Sequence, residues 1–148
     1  MLRSRPIIGF TGTQVGMTYE QLDAVRRTLD EIMCQPIPPH CMREAHHGDC
    51  IGADMQFHDI ARSLGLWIVV HPPINQVKQA HCDPDESRLP KEYLTRNDDI
   101  TRECDLLIAF DMLASVAQEN LNRYRPERTV AVANTTQIST AQEVTNVD

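Results

Sequence analysis

Apolar positions in this chain form short continuous runs, separated by longer stretches in which they recur every three or four residues. Ile7 to Phe10 is the first run, entered from Pro6 and closed by Thr11, Gly12 and Thr13, and it predicts a buried strand. Leu22, Val25, Leu29, Ile32 and Met33 then share one helical face. Thr18 stands where its hydroxyl caps the first turn, with Gln21 placed to complete a capping box, and Pro36, Pro38 and Pro39 end the helix. Arg43 to His47, between that break and a glycine turn, predicts a second strand. Ala53, Phe57, Ile60, Ala61 and Leu64 form a second helical stripe stopped by Gly65. Leu66 to Val70, rich in β-branched residues, predicts a third strand, with Trp67 and Phe57 filling the core. Thr95 and Asp98 make another capping pair, placing Arg96 and Asn97 in the first turn of a helix that runs to about Cys104. Leu106 to Phe110 follows as a strand. Beyond it Leu113 to Tyr124 reads as helix, Thr129 to Ala133 as a last strand, and Asn134 to Asp148 as a polar, frayed tail.

Strands alternating with helices predict the α/β class: a single Rossmann-like domain over residues 1–133, with a mostly parallel sheet and helices on both faces, followed by the tail 134–148. In such sheets ligands bind beyond the carboxyl ends of the strands. Both glycine turns, His71 and the start of the Arg96 helix are expected there. The four-proline connection from His71 to Leu94 reads either as a binding loop or as disorder.

Composition narrows the function. At 148 residues the chain holds one core, and 14 basic against 21 acidic residues, a net charge of −7, argue against a duplex-DNA footprint. No apolar run approaches the roughly 20 residues of a membrane span, and the opening lacks a signal peptide's apolar segment, so a cytoplasmic protein is expected. Five cysteines without CxxC spacing suit reduced thiols. The pairs His40–Cys41 and His81–Cys82 are adjacent and cannot readily converge on one tetrahedral ion, so neither metal nor cofactor is expected.

The candidate chemistry lies in two turns, FTGTQVGMT (residues 10–18) and HGDCIGAD (residues 47–54). Gly12, Gly16, Gly48 and Gly52 either bring backbone N–H groups up to a phosphate or simply permit the turns. Asp49 and Asp54 suit a ribose hydroxyl, although Asp54 could instead serve its helix N-terminus. Arg96, a cation in a helix first turn, calls for an anionic ligand or an ion pair with Asp98 or Asp99. Asn97 can bond ligand or backbone. His71 could touch ligand or transfer a proton, or be a satisfied structural histidine. His46 and His47 alternate faces, so one at most points toward the site, and His58 lies one turn past Asp54 on its face. Cys50 lacks the setting of a nucleophile.

Taken together, GFTGTQVGMT, HGDCIGAD, HPP and YLTRNDDITRECDLLIAF resemble the SLOG superfamily over about residues 7 to 110. The likeness is to its small YspA/YpsA-like members, often phage-encoded, and more distantly to DNA-processing protein A and Lonely Guy proteins. The resemblance implies a Rossmannoid fold that binds a nucleotide or nucleotide-derived ligand. It assigns the phosphate-facing loop to Thr11, Gly12 and Thr13, the second loop to Gly48, Asp49, Gly52, Ala53 and Asp54, and the family's RN pair to Arg96 and Asn97. Two departures stand out: Gln79 occupies a position where similar proteins often carry arginine, so that one cationic contact is either missing or taken over by Lys78, and residues 111–127 lack the glycine-threonine-tryptophan segment that completes the ligand site.

Three functions follow as expectations. The first is a sensor or sequestering module for a phosphorylated, nucleotide-derived small molecule. The second is a hydrolase of the nucleotide N-glycosidic bond, with Asp54 or Asp49 assisting water. The third is a DNA-processing accessory factor, against which the acidic charge and scarce aromatics weigh. By analogy with other small Rossmannoid proteins, Leu113 to Ala133 is a candidate homo-oligomer contact.

Overall fold

The computed structural model describes residues 6–38, 41–110 and 130–133, the last four as backbone. Ile7–Thr11 (β1), Glu44–His47 (β2), Trp67–Val70 (β3), Glu86–Ser87 (β4), Leu106–Ala109 (β5) and Val130–Ala133 (β6) form one sheet in the order β4-β3-β2-β1-β5-β6. Every neighbouring pair is parallel, with Gly9 opposite both His46 and Leu107. The helices are Tyr19–Met33 (α1), Ala53–Ser63 (α2) and Tyr93–Glu103 (α3). None of the described helices is long and apolar enough to cross a membrane.

The alternation along each strand sorts two cores. Ile8 and Phe10 of β1, Ala45, Ile68, Val70 and Ile108 face α1 and α2, meeting Val25, Leu29, Phe57, Ile60 and Ala61. Phe57 stacks flat on Phe10 with ring centroids 4.5 Å apart. Ile100 of α3 and its C-cap residue Cys104 pack with Leu107 and Ile7 on the opposite face. Helices therefore cover both faces, the Rossmann-like arrangement the alternation predicted. The chain leaves β1 for β2 across one face and reaches β5, on the other side of β1, by way of α3 on the opposite face. The crevice at the carboxyl end of β1 is thus the switch point of the sheet.

The first helix forms as its cap predicts. Gln21 N–H donates to the Thr18 hydroxyl and Thr18 N–H donates to the Gln21 side chain, and the helix ends at Met33 with Cys34 as its cap. The third helix differs: it starts at Tyr93, two residues ahead of Thr95, with Glu92 in the N-cap position making no side-chain capping bond. Lys91 is bridged to Pro73, which fixes the chain's entry, and the Tyr93 ring then lies one turn before Arg96, with the guanidinium 5.0 Å from the ring centroid. Residues 71–94 form a largely exposed strap tied to the sheet by hydrogen bonds. It holds a short 3-10 helix at Gln76–Lys78 and the edge strand β4, while Asp85 accepts from the Ile68 N–H at 2.8 Å and from Arg62 at 2.9 Å. Trp67 is only half-buried and lies outside the main core, because strand alternation sends Ile68 and Val70 into that core and Trp67 to the opposite face. The predicted helix 113–124 and the tail 134–148 lie outside the described residues, whereas the last predicted strand is β6.

Candidate ligand-binding site

The turns after β1 and β2 touch. Ala53 N–H donates to the Thr13 carbonyl at 3.0 Å. Gly12 comes so near Ala53 that a Cβ on it would stand 2.5 Å from the alanine methyl. Gly52, at φ 90°, adopts a backbone few other residues tolerate, and a Cβ there would collide with the Gln14 carbonyl. Close backbone approach, the property read from these glycines, serves first to join the two turns to each other.

A cavity of about 240 Å³ opens over that junction. Phe10 to Gln14 form one wall, Gly48, Cys50 and Asp54 the second, and Tyr93, Arg96 and Asn97 the third. A second cavity of about 400 Å³ shares Gln14, Cys50 and Tyr93 with it and continues toward Pro73, Ile74, Lys78 and Lys91. The two make a groove with a polar end at the sheet and an end lined by Pro73, Ile74, Lys78 and Lys91, the last paired with Asp99.

Arg96 is the central charge. It is only 3% exposed, and one terminal nitrogen donates to the Gly48 carbonyl at 2.7 Å and to Cys50 Sγ at 2.9 Å. Its Nε has no partner among the described residues. A buried guanidinium N–H left unpaired costs about 1–3 kcal/mol or more. Gly48 admits this side chain: a Cβ there would stand 2.8 Å from Arg96 Cζ and 2.9 Å from Asp54 Oδ2.

Asp54 corrects the expected use of the second turn. Its carboxylate accepts from the N–H groups of Cys50, at 3.2 Å, and Gly48. Asp49 N–H goes to His47 Nδ1 at 3.0 Å and Ile51 N–H to the Lys78 carbonyl at 3.0 Å. The turn's amides are thus largely engaged by protein acceptors, and the amides left to meet a phosphate are those of the first turn. Burial raises the Asp54 carboxyl to about 7, although the Cys50 N–H and the Arg96 charge pull the other way. Burial likewise raises the Cys50 thiol, so the neutral thiol lines the cavity.

Of the residues read from the sequence, Thr11, Gly12, Thr13, Gly48, Asp54, Arg96 and Asn97 converge on the cavity. Asp49 does not: it takes φ 53° and turns its carboxylate into the strap, accepting from Cys82 N–H and Gln79 Nε2 at 2.9 Å each. Ala53 contributes its backbone to the junction, and Gly16, at φ 94°, shapes the turn beside Gln56. His71 is 2% exposed at the end of β3 and bonds His46 at 3.0 Å on the α3 face instead, with burial lowering it to about 3. His58 bonds His47 at 2.9 Å on the opposite face. Both strand histidines are fully buried, since the helices cover both faces. Tyr93, Cys50 and Gln14 went unmarked as ligand contacts. Tyr93 has a local signal, its position one turn before Arg96, and Gln14 and Cys50 lie inside the two candidate turns.

The site and sheet define a Rossmann-like α/β protein with a ligand-sized groove at its switch point. No protein-family profile matches the sequence, and no curated protein matches it. Among solved structures the chain is similar to the Moco carrier protein from Chlamydomonas reinhardtii, with TM-score 0.60 and 17% identity over 88% of this chain and 78% of that one. It is also similar to a second structure, of the molybdenum cofactor carrier protein MCP from the same organism, with TM-score 0.57, 16% identity and the same coverage. At these identities the likeness establishes the shared fold.

Proposed function

We propose that this chain is a cytoplasmic, SLOG-type module that binds a nucleotide or nucleotide-derived phosphorylated small molecule, as a sensor or sequestering protein. The observation that carries the reading is Arg96, buried in the cavity wall with an unpaired N–H. A phosphoryl group would sit against the Arg96 guanidinium and the turn from Thr11 to Gln14, and the heterocycle would extend into the adjoining cavity past Tyr93 toward Ile74. The carrier proteins that share the fold hold a small-molecule cofactor, which fits the same kind of ligand. Reduced thiols on all five cysteines suit the cytoplasm. Calorimetry with nucleoside mono- and diphosphates, NAD, ADP-ribose, cyclic nucleotides and molybdenum cofactor tests this. Micromolar binding by one of them, lost in Arg96→Lys, is expected; silence across the panel sinks the reading.

A second reading, hydrolysis of a nucleotide N-glycosidic bond, is favoured by one observation. Asp54 lines the cavity with a carboxyl raised to about 7, the range in which a carboxyl can both give and take a proton near neutrality. Release of free base that peaks near neutral pH and disappears in Asp54→Asn would establish it; no release from any ligand that binds would leave a binding module.

A further inference from the structure

On the α3 face, away from the groove, His46 of β2, His71 at the end of β3 and Glu103 at the end of α3 turn toward one another. His46 Nδ1 is 3.0 Å from His71 Nε2 and 3.4 Å from Glu103 Oε2, and the three donor atoms lie within 4.8 Å of one another. We propose that these residues form a divalent metal site of the two-histidine, one-carboxylate kind, suited to zinc or a similar first-row ion.

Donors about 2.0–2.1 Å from a tetrahedral ion stand about 3.3 Å from each other, so two of the three edges are already near the required length. The proton on His46 is placed as a ligand needs it. Its Nε2 is 3.0 Å from Glu44 Oε2, which holds the ring hydrogen there and leaves the Nδ1 lone pair facing the other donors; without an ion that lone pair accepts from His71 Nε2, whose proton shifts to Nδ1 of its own ring when an ion takes its place. His46 and His71 are almost wholly buried, whereas the Glu103 side chain is 36% exposed and gives an ion its entry and a solvent ligand its place. Arg88 donates to Glu103 Oε2 at 3.0 Å and fixes the carboxylate against the imidazoles; the second carboxylate oxygen can take over that contact once an ion holds the first.

A second compact group, His47, His58 and Cys82, fails the same test. Asp49 N–H donates to His47 Nδ1, so the proton of the neutral ring sits on Nε2, the atom that faces His58. That pair is a completed hydrogen-bond chain, and a metal there would require an imidazolate.

The test uses the full chain stripped of metal by a chelator, titrated with Co²⁺ for its visible absorption and with Zn²⁺ by equilibrium dialysis. One ion per chain is expected, with affinity falling about ten- to a hundredfold in His71→Asn and in Glu103→Gln and unchanged in His58→Asn. Circular dichroism checks each fold; if His71→Asn fails to fold, Glu103→Gln, at an exposed edge, decides. No uptake by the parent chain, uptake indifferent to both ligand substitutions, or uptake lost in His58→Asn alone would overturn the proposal.

Discussion

The Arg96 guanidinium donates to the Gly48 carbonyl at 2.7 Å, joining residues 48 positions apart and drawing α3 onto the turn after β2. The same nitrogen reaches Cys50 Sγ while Nε, itself buried, stays unpaired, so one side chain closes the groove's floor and sets a cation in it. Gly48 and Arg96 therefore work as a unit.

Arg96→Lys should separate charge from geometry. An ammonium keeps the positive charge but has neither Nε nor the planar fork. Affinity for a phosphorylated ligand should fall at least about tenfold, the equivalent of one lost charge-assisted bond, measured by calorimetry. Unchanged affinity would mean that the guanidinium is purely structural.

Asp54 couples stability to pH. A carboxyl raised from 3.8 to about 7 on folding is protonated in the folded chain while it ionises in the unfolded one. Its penalty is absent below pH 4, grows as pH rises, and is complete above 7, at an order-of-magnitude ceiling of about 4 kcal/mol. Urea unfolding should show Asp54→Asn gaining stability over the parent chain between pH 5 and 8. A difference independent of pH would refute the raised value.

The same ionisation bears on ligand. An anion entering beside Arg96 meets a neutral Asp54 below pH 7 and a charged one above it. Affinity for a phosphodiester, whose own charge is constant, should weaken from pH 6 to 8 in the parent chain and stay level in Asp54→Asn.

Gly52→Ala tests the junction of the two turns. The substitution combines φ 90° with a collision against the Gln14 carbonyl, so thermal unfolding should shift down by an amount equivalent to about 2–4 kcal/mol. A loss below about 0.5 kcal/mol would show that the turns move apart freely.

His47 should make the chain acid-sensitive. It is fully buried and held well below its ordinary value by burial, with His58 adding to the effect. A depressed folded value contributes stability that is complete above about pH 6.5 and lost as pH falls, at up to about 1.4 kcal/mol per pH unit. His47→Gln should flatten the slope of unfolding free energy between pH 6.5 and 5, read by chemical denaturation.

What the residues reveal on their own depends on range. Thr18 and Gln21 predict the start of α1 because a capping box closes within four residues. Thr95 and Asp98 show the same local pattern, but α3 starts at Tyr93, since the Lys91–Pro73 bridge and the Tyr93 ring over Arg96 decide where the helix begins. Asp49 and Asp54 sit symmetrically about the turn in sequence. Only the fold turns one into the strap and the other into the cavity.

The alternation of apolar runs and stripes was enough by itself to specify an α/β chain, because strand and helix periods are local properties of the backbone. It also placed the two glycine turns and Arg96 at one end of the sheet. Tertiary structure alone decided which donors stay free. The amides of the second turn are consumed by Asp54, His47 and Lys78, His71 is claimed by His46, and Arg96 keeps one N–H unspent. The Ile51–Lys78 and His46–His71 contacts reach across the chain, and the bonds inside the second turn depend on its backbone path; neither leaves a periodic trace in a sequence, which is why the outline of the groove was legible and its chemistry was not.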